Sequence, residues 1–156
     1  HSALKTMARF KFRLATLLRL RELARDERRG ELAQAYRAQE ILEEQKRQLE
    51  EHLTELRCGA RRASGPGEID VDRLLEARRF ETVLLAQRQD VDRKQEAIGR
   101  EVERRRQALV EANREVHVLE NLRARQQERH RAEESRRETK NLDEIALQRA
   151  LREERP

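Results

Sequence analysis

The sequence predicts an all-α protein in which two long helices form an antiparallel coiled-coil hairpin, the second helix being longer and ending in a single-helix or flexible C-terminal extension. With 43% charged, 36% hydrophobic and 3% aromatic residues, the chain has too little apolar surface for an ordinary globular core. Its apolar residues nevertheless recur at alternating steps of three and four in two stretches, as in coiled coils. One glycine-rich break around Pro66 separates the two stretches.

The first helix is predicted over about residues 9–58. Its apolar stripe predicts a seam that faces a partner helix. The seam residues are Leu32, Ala35, Gln39, Leu42, Lys46, Leu49, Leu53 and Leu56.

The connection is predicted over about residues 59–70. Gly59 and Gly65 can adopt the left-handed backbone that ends a helix, and Pro66 resists helix continuation. Asp70 has the side chain of an N-cap, so the second helix is expected from Val71 onward.

The second helix carries a matching seam. It consists of Val91, Gln95, Ile98, Val102, Arg105, Leu109, Ala112, Val116 and Leu119. A short connection forces the helices to run antiparallel, which predicts Phe10 near Leu119 and the end of the apolar stripe at Leu122. We therefore predict a hairpin over residues 7–122.

Residues 123–156 are predicted to form a polar helical extension. Large apolar side chains return only near the C-terminus, as Leu142, Ile145, Leu147 and Leu151. An apolar patch with nothing left to pack on is a candidate docking site for another protein. Phe80, Val83 and Leu84 also supply more apolar surface than one seam needs. This excess indicates either packing near the loop or a second docking patch.

Charge and chemistry exclude several classes of function. The net charge of +5 comes from interspersed signs, although the first thirty residues hold nine basic and three acidic side chains and favour an acidic partner. Cys58 is the only cysteine, which excludes an intrachain disulfide and favours a reducing cytoplasm. No pocket, phosphate loop or metal-ligand spacing is recognisable, so we expect no enzyme, cofactor or metal. Residues 1–6 precede the only methionine, Met7, and are interpreted as a cloning remnant.

Both ends of the chain resemble one protein family. The N-terminal motif is Phe10-Lys11-Phe12-Arg13-Leu14, followed by Leu17-Leu18-Arg19-Leu20-Arg21-Glu22. The C-terminal motifs are Leu119-Glu120-Asn121-Leu122-Arg123 and Leu142-Asp143-Glu144-Ile145-Ala146. In this order, with a break between them, they resemble the flagellar FliJ family, the soluble coiled-coil stalk of the bacterial flagellar type III export apparatus.

The resemblance implies a non-enzymatic cytoplasmic protein, peripheral at the inner membrane through the export apparatus. Its expected partners are the export ATPase hexamer, the cytoplasmic domain of the export gate membrane protein and export chaperones. The expected ATPase-facing residues are Phe10, Phe12, Arg13, Leu17, Arg21, Leu142, Asp143, Ile145 and Leu147. The expected gate-facing residues are Gln45, Leu49, His52, Leu56, Phe80, Leu84, Gln87 and Val91.

Three alternatives stay open at this point. The stalk of a virulence type III secretion system shares the architecture, and heptads do not separate the two branches. A generic coiled-coil scaffold would only dimerise. A nucleic-acid-binding arm would fit the basic N-terminus, but the 31 acidic residues and the lack of interleaved aromatics argue against it.

Overall fold

The computed structural model describes residues 9–65, 67 and 69–155. Within them are two helices, α1 (Ala15–Ala63) and the longer α2 (Val71–Glu153), and no strand. The helices pack against each other as a helical hairpin, which confirms the predicted fold class. Pro66, where the break was placed, and residues 1–6 lie outside the described residues.

The bounds of α1 differ from the predicted 9–58. The helix begins at Ala15, after a turn in which the Phe12 carbonyl accepts a hydrogen bond from the Ala15 amide at 3.1 Å. It continues through Gly59 to Ala63. A glycine inside a helix costs about 1 kcal/mol relative to alanine. Ala60 and Ala63 are half-buried beyond it, and their packing offsets part of this cost.

The start of α2 agrees with the prediction. The Asp70 carboxylate accepts a hydrogen bond from the Arg73 amide at 3.2 Å, and the Asp70 carbonyl accepts one from the Leu74 amide at 3.2 Å. The side-chain bond confirms Asp70 as the N-cap, since it satisfies the Arg73 amide, which has no partner within the helix. In the preceding loop Gly67 has a φ of 150°, a backbone conformation that favours glycine.

The chain divides into two compact units. The loop unit comprises Asp26–Val110, and its core consists of Ala35, Leu53, Leu84 and Val91. Every seam position predicted within this unit is buried or half-buried, so the heptad reading of both helices is confirmed there. Ion pairs that join α1 to α2 in this unit include Lys46 with Asp92 at 2.8 Å and Arg57 with Glu81 at 3.2 Å.

The terminal unit comprises, among the described residues, 9–25 and 111–155. Leu18, Val116 and Leu119 are its buried cluster, and Phe12 and Leu14 pack against them. Ala112 is also buried, and Arg21 forms an ion pair with Glu115 at 3.1 Å.

The predicted pairing of Phe10 with Leu119 is wrong. The Phe10 ring instead lies against His130, with ring centroids 5.8 Å apart, about three helical turns further along α2. Because α1 extends past Cys58 to Ala63, the chain reverses later and each α1 residue faces a later residue of α2. The division into a hairpin of residues 7–122 and an extension of residues 123–156 remains a prediction.

Neither helix of the described residues combines the length and apolar character that a membrane span requires.

Candidate protein-docking surfaces

A groove runs between α1 and α2 in the loop unit and consists of three adjoining depressions of about 650, 660 and 550 Å³. The first and second depressions share His52, and the second and third share Lys94. We call this continuous feature the loop groove. On α1 it extends from Ala38 to Ala63, and on α2 from Arg73 to Arg104.

The structure brings nearly all of the expected gate-facing residues to the loop groove. Those lining it are Gln45, Leu49, His52, Leu56, Phe80, Gln87 and Val91. The exception is Leu84, which is 3% exposed and belongs to the core of the loop unit. Leu84 therefore supports the groove without being available to a partner. Whether the gate protein contacts these residues stays a prediction.

Each depression contains one large, exposed apolar side chain. Phe80 in the first is 52% exposed, Val83 in the second 49%, and Ile41 in the third 59%. Exposed apolar side chains aligned along a concave surface are typical of protein-binding sites, because burying them is favourable. The loop groove therefore has the character of a docking surface for another polypeptide.

In the second and third depressions of the loop groove, the acidic and basic side chains are paired within the protein. The Lys94 ammonium lies 3.1 Å from the Asp90 carboxylate, and the Arg104 guanidinium lies 2.8 Å from the Glu101 carboxylate. These two depressions consequently present a mainly apolar surface with neutralised edges, whereas the first also presents the carboxylates of Glu55 and Glu76.

The third depression was missed by sequence reasoning. It adds Ala38, Ile41, Leu42, Ala97 and Ile98. A signal for it exists in the sequence, since the lining residues at 76, 83, 90, 97 and 104 keep one side of α2 at seven-residue steps. This row lies beside the seam, and the seam positions alone do not reveal it.

In the terminal unit, the expected ATPase-facing residues of the N-terminal segment have different environments. Phe10 and Phe12 are half-buried, in contact with His130 and with the Leu18 cluster, respectively. Arg13 is exposed and Leu17 is 37% exposed. Arg21 is exposed but paired with Glu115.

The C-terminal members of the same set are all exposed. Leu142, Ile145 and Leu147 are 66%, 47% and 62% exposed, and Asp143 is exposed as well. Because Phe10 lies at the level of His130, about 18 Å before Leu142 along α2, the structure does not bring the two parts of the set into contact. They remain two separate candidate surfaces within one unit.

Among the described residues, no group of three or more His, Cys, Asp or Glu side chains is placed so that it could hold a metal ion. Cys58 is exposed.

Two packed helices that expose apolar side chains on both units define a coiled-coil protein-interaction component. The family model for the flagellar FliJ protein matches residues 10–155 of the chain. The protein belongs to the FliJ family, whose members are non-enzymatic components of flagellar type III protein export. No curated protein and no solved structure matches the chain.

Proposed function

We propose that this protein is the stalk of the flagellar export apparatus. Its terminal unit binds the export ATPase hexamer, and its loop unit binds the cytoplasmic domain of the export gate membrane protein. It promotes assembly or activity of the ATPase ring and assists export chaperones. It acts in the cytoplasm, held at the inner membrane through the export apparatus, and uses no cofactor.

The observation that carries the proposal is the convergence of the expected gate-facing residues on the loop groove. Residues from both helices, such as His52 on α1 and Phe80 on α2, line the same depression although they are far apart in sequence. The family assignment supplies the export context, and the groove supplies a surface suited to binding a protein.

The terminal unit supports the ATPase contact through apolar and basic groups. Leu20 and Leu23 are each 57% exposed on α1, and Arg13 and Arg19 are also exposed. Leu142 and Leu147 add exposed apolar surface on α2. Such a combination suits a partner that offers apolar pockets with acidic edges.

The mechanism follows from asymmetry. A single chain inside a ring of six subunits contacts those subunits unequally. A ligand that binds one conformation of a subunit better than another increases the population of that conformation. Unequal contact therefore favours different nucleotide states in different subunits. The same chain, bound to the gate through the loop groove, couples the two partners.

The ATPase contact is tested by hydrolysis measurements with the cognate export ATPase. The wild-type protein should raise the hydrolysis rate, and Ile145→Glu should abolish the increase by placing a charge on the exposed apolar patch. Gln148→Glu is the matched control, since Gln148 is an exposed polar residue on the same helical turn. No increase by the wild-type protein on an assembled hexamer would refute this part.

The gate contact is tested by titrating the purified cytoplasmic domain of the cognate gate protein. Phe80→Ala should weaken binding by about tenfold or more, as expected for an aromatic anchor in a pocket. Arg79→Ala, at an exposed neighbouring position outside the loop groove, should bind like the wild type. Equal affinities for all three proteins would exclude the loop groove as the gate site.

The match to the flagellar family favours the flagellar branch over a virulence secretion stalk. A generic scaffold would leave ATPase activity unchanged. A nucleic-acid-binding arm would show steeply salt-dependent association with RNA or DNA. The ATPase measurements and the gate titration distinguish the proposed stalk from the generic scaffold and from the nucleic-acid-binding arm.

A further inference from the structure

The first turns of α1 carry apolar side chains on two sides. Leu14 and Leu18 pack in the buried cluster that α1 forms with α2. Leu17, Leu20 and Leu23 are exposed, and their three-residue spacing keeps them close together on the side of α1 that α2 does not cover. We call these three residues the outer stripe. Because apolar side chains gain free energy when they leave water, the outer stripe indicates a further contact on this side of α1.

The arrangement is not that of an ordinary amphipathic helix at a protein surface. Such a helix turns its apolar side to the core and its polar side to water. Here Arg21 and Arg25 continue the steps of Leu14 and Leu18 on the side that faces α2. Arg21 pairs with Glu115 of α2, and Arg25 is half-buried. Polar groups therefore face α2 while the leucines of the outer stripe face away from it.

A second unpartnered apolar stripe lies at the end of α2. Leu147 follows Leu119 by 28 residues and Leu151 follows Val116 by 35, which are whole numbers of heptads. The side of α2 that packs on α1 thus becomes apolar again at Leu147 and Leu151, both of which are exposed. We call these two residues the C-terminal stripe. The positions between the two apolar parts are polar, namely Arg123, Gln126, His130, Glu133, Arg137, Lys140 and Glu144.

The charges around the two stripes are complementary. Residues 13–21, which contain Leu17 and Leu20, include three arginines and no acidic side chain. Residues 141–148, which contain Leu147, include Asp143 and Glu144 and no basic side chain. Opposite charges on two surfaces favour their association and fix its orientation. The chain therefore carries both halves of one apolar contact with matching charge.

The two halves do not meet within one molecule. Arg21 lies level with Glu115, so its neighbour Leu20 is about 45 Å from Leu147 along α2. The helix α2 continues without interruption to Glu153 and does not fold back on α1. A molecule that offers both the apolar stripe and the charge that each half requires is a second copy of the same chain.

We propose that the terminal units of two copies form an antiparallel dimer with two-fold symmetry, in which the C-terminal stripe of each copy packs on the outer stripe of the other. In this dimer α1 lies between its own α2 and the α2 of the second copy. The inference goes beyond the proposed function, since no export component takes part. Leu17 and Leu147 are also expected to face the export ATPase, so the dimer and the ATPase exclude each other at these residues.

Sedimentation velocity of the purified full chain tests the dimer, with a reducing agent present because Cys58 is exposed. The wild-type mass should rise with concentration from 18.6 kDa towards twice that value. Leu147→Lys, which places a cation against the basic outer stripe, should weaken the dimer about tenfold or more. Leu142→Lys is the matched control, because Leu142 is equally exposed but follows the exposed Arg114 by whole heptads and lies on another side of α2.

The complementary change is made on α1. Leu20→Glu, which places a carboxylate against the acidic C-terminal stripe, should also weaken the dimer about tenfold or more. Val118→Glu is its control, since Val118 is exposed in the same unit and belongs to neither stripe. Circular dichroism should show unchanged helix content in all four variants, because each substitution lies at an exposed position.

Mixing the two disruptive variants tests the reciprocal arrangement. Each variant alone has two damaged contacts in a symmetric dimer. A dimer of Leu20→Glu with Leu147→Lys keeps one wild-type contact and pairs Glu with Lys at the other. An equimolar mixture should therefore sediment as a dimer at concentrations where each variant alone is monomeric.

Each of four other outcomes would overturn the proposal. Wild-type protein that stays monomeric up to roughly 0.1 mM has no such dimer. A dimer that withstands both Leu20→Glu and Leu147→Lys uses another surface. Equal weakening by Leu142→Lys and Leu147→Lys would contradict the C-terminal stripe, and a mixture that stays monomeric would contradict the reciprocal contacts. None of these results bears on the ATPase or gate measurements, so the proposed function stands or fails separately.

Discussion

The Arg105 guanidinium donates a hydrogen bond to the backbone carbonyl of Glu31 at 2.6 Å and so links α2 to α1 inside the loop unit. The same side chain pairs with Glu101 at 2.9 Å and is 31% exposed. Its neighbour Arg104 also pairs with Glu101, at 2.8 Å, but is 76% exposed and has no such bond to α1 in the described structure. Two adjacent arginines thus share a partner and differ in the cross-helix bond.

This difference predicts unequal effects on stability. Arg105→Ala should lower the free energy of unfolding by about 1–2 kcal/mol, because it removes a charge-assisted, partly buried hydrogen bond. Arg104→Ala should change it by less than about 0.5 kcal/mol, as for most exposed ion pairs. Urea unfolding followed by circular dichroism measures both. Equal losses would show that the Glu31 bond contributes nothing.

The terminal unit offers a matched pair of valines. Val116 is 1% exposed within the Leu18 cluster, whereas Val118 is 65% exposed. Val116→Ala should cost about 2 kcal/mol through lost burial and the cavity that remains. Val118→Ala should stay within about 0.5 kcal/mol of the wild type. Urea unfolding measures both variants. A larger loss of unfolding free energy for Val118→Ala than for Val116→Ala would contradict the packing of α1 on α2.

The ring contact of Phe10 with His130 predicts an energetic coupling. A double-mutant cycle with Phe10→Ala and His130→Ala should give a coupling of about 0.5–1.5 kcal/mol, the range for aromatic pairs. Phe10→Ala should also speed amide hydrogen exchange at Leu18, whose amide bonds to the Leu14 carbonyl at 2.9 Å. Phe80→Ala, an exposed aromatic of the loop unit, should leave that exchange unchanged. A coupling energy of zero would contradict the contact between the Phe10 and His130 rings.

Lys46 predicts a pH dependence of stability. The hydrogen bond from its ammonium to the Asp92 carboxylate, followed by their charge attraction, raises the pKa of Lys46 above its ordinary value of 10.5. The stabilisation is fully present below the pKa of the unfolded chain and is lost as pH rises through the higher folded-state pKa. Wild type should therefore lose stability relative to Lys46→Met only under strongly alkaline conditions. A difference that disappears near neutral pH would contradict the pair.

The seam could be predicted from the sequence because heptad spacing is local information. Val91, Ile98 and Leu53 follow from counting along one helix, and the Asp70 cap follows from residue chemistry beside a break. The pairing of Phe10 could not be predicted as well. It depends on where the chain turns, and α1 continues through Gly59 to Ala63 despite glycine's low helix propensity.

The loop groove was only partly predictable for a related reason. A second row of residues beside the seam becomes visible once the rotation of each helix about its axis is known, and pattern counting in one helix leaves that rotation free. Val83 was recognised as surplus apolar surface, while Ile41 and Ala97 were not singled out because an isolated isoleucine or alanine carries little signal.

The modest size of the buried core has a thermal consequence. Among the described residues, full burial is confined to single aliphatic side chains such as Leu53 and Val116. Newly hydrated apolar area is the main source of the heat-capacity increment on melting, and here that area is limited. The free energy of unfolding should therefore vary little with temperature, so that cooling weakens the fold little. Calorimetry should record a heat-capacity increment per residue below that of typical globular domains.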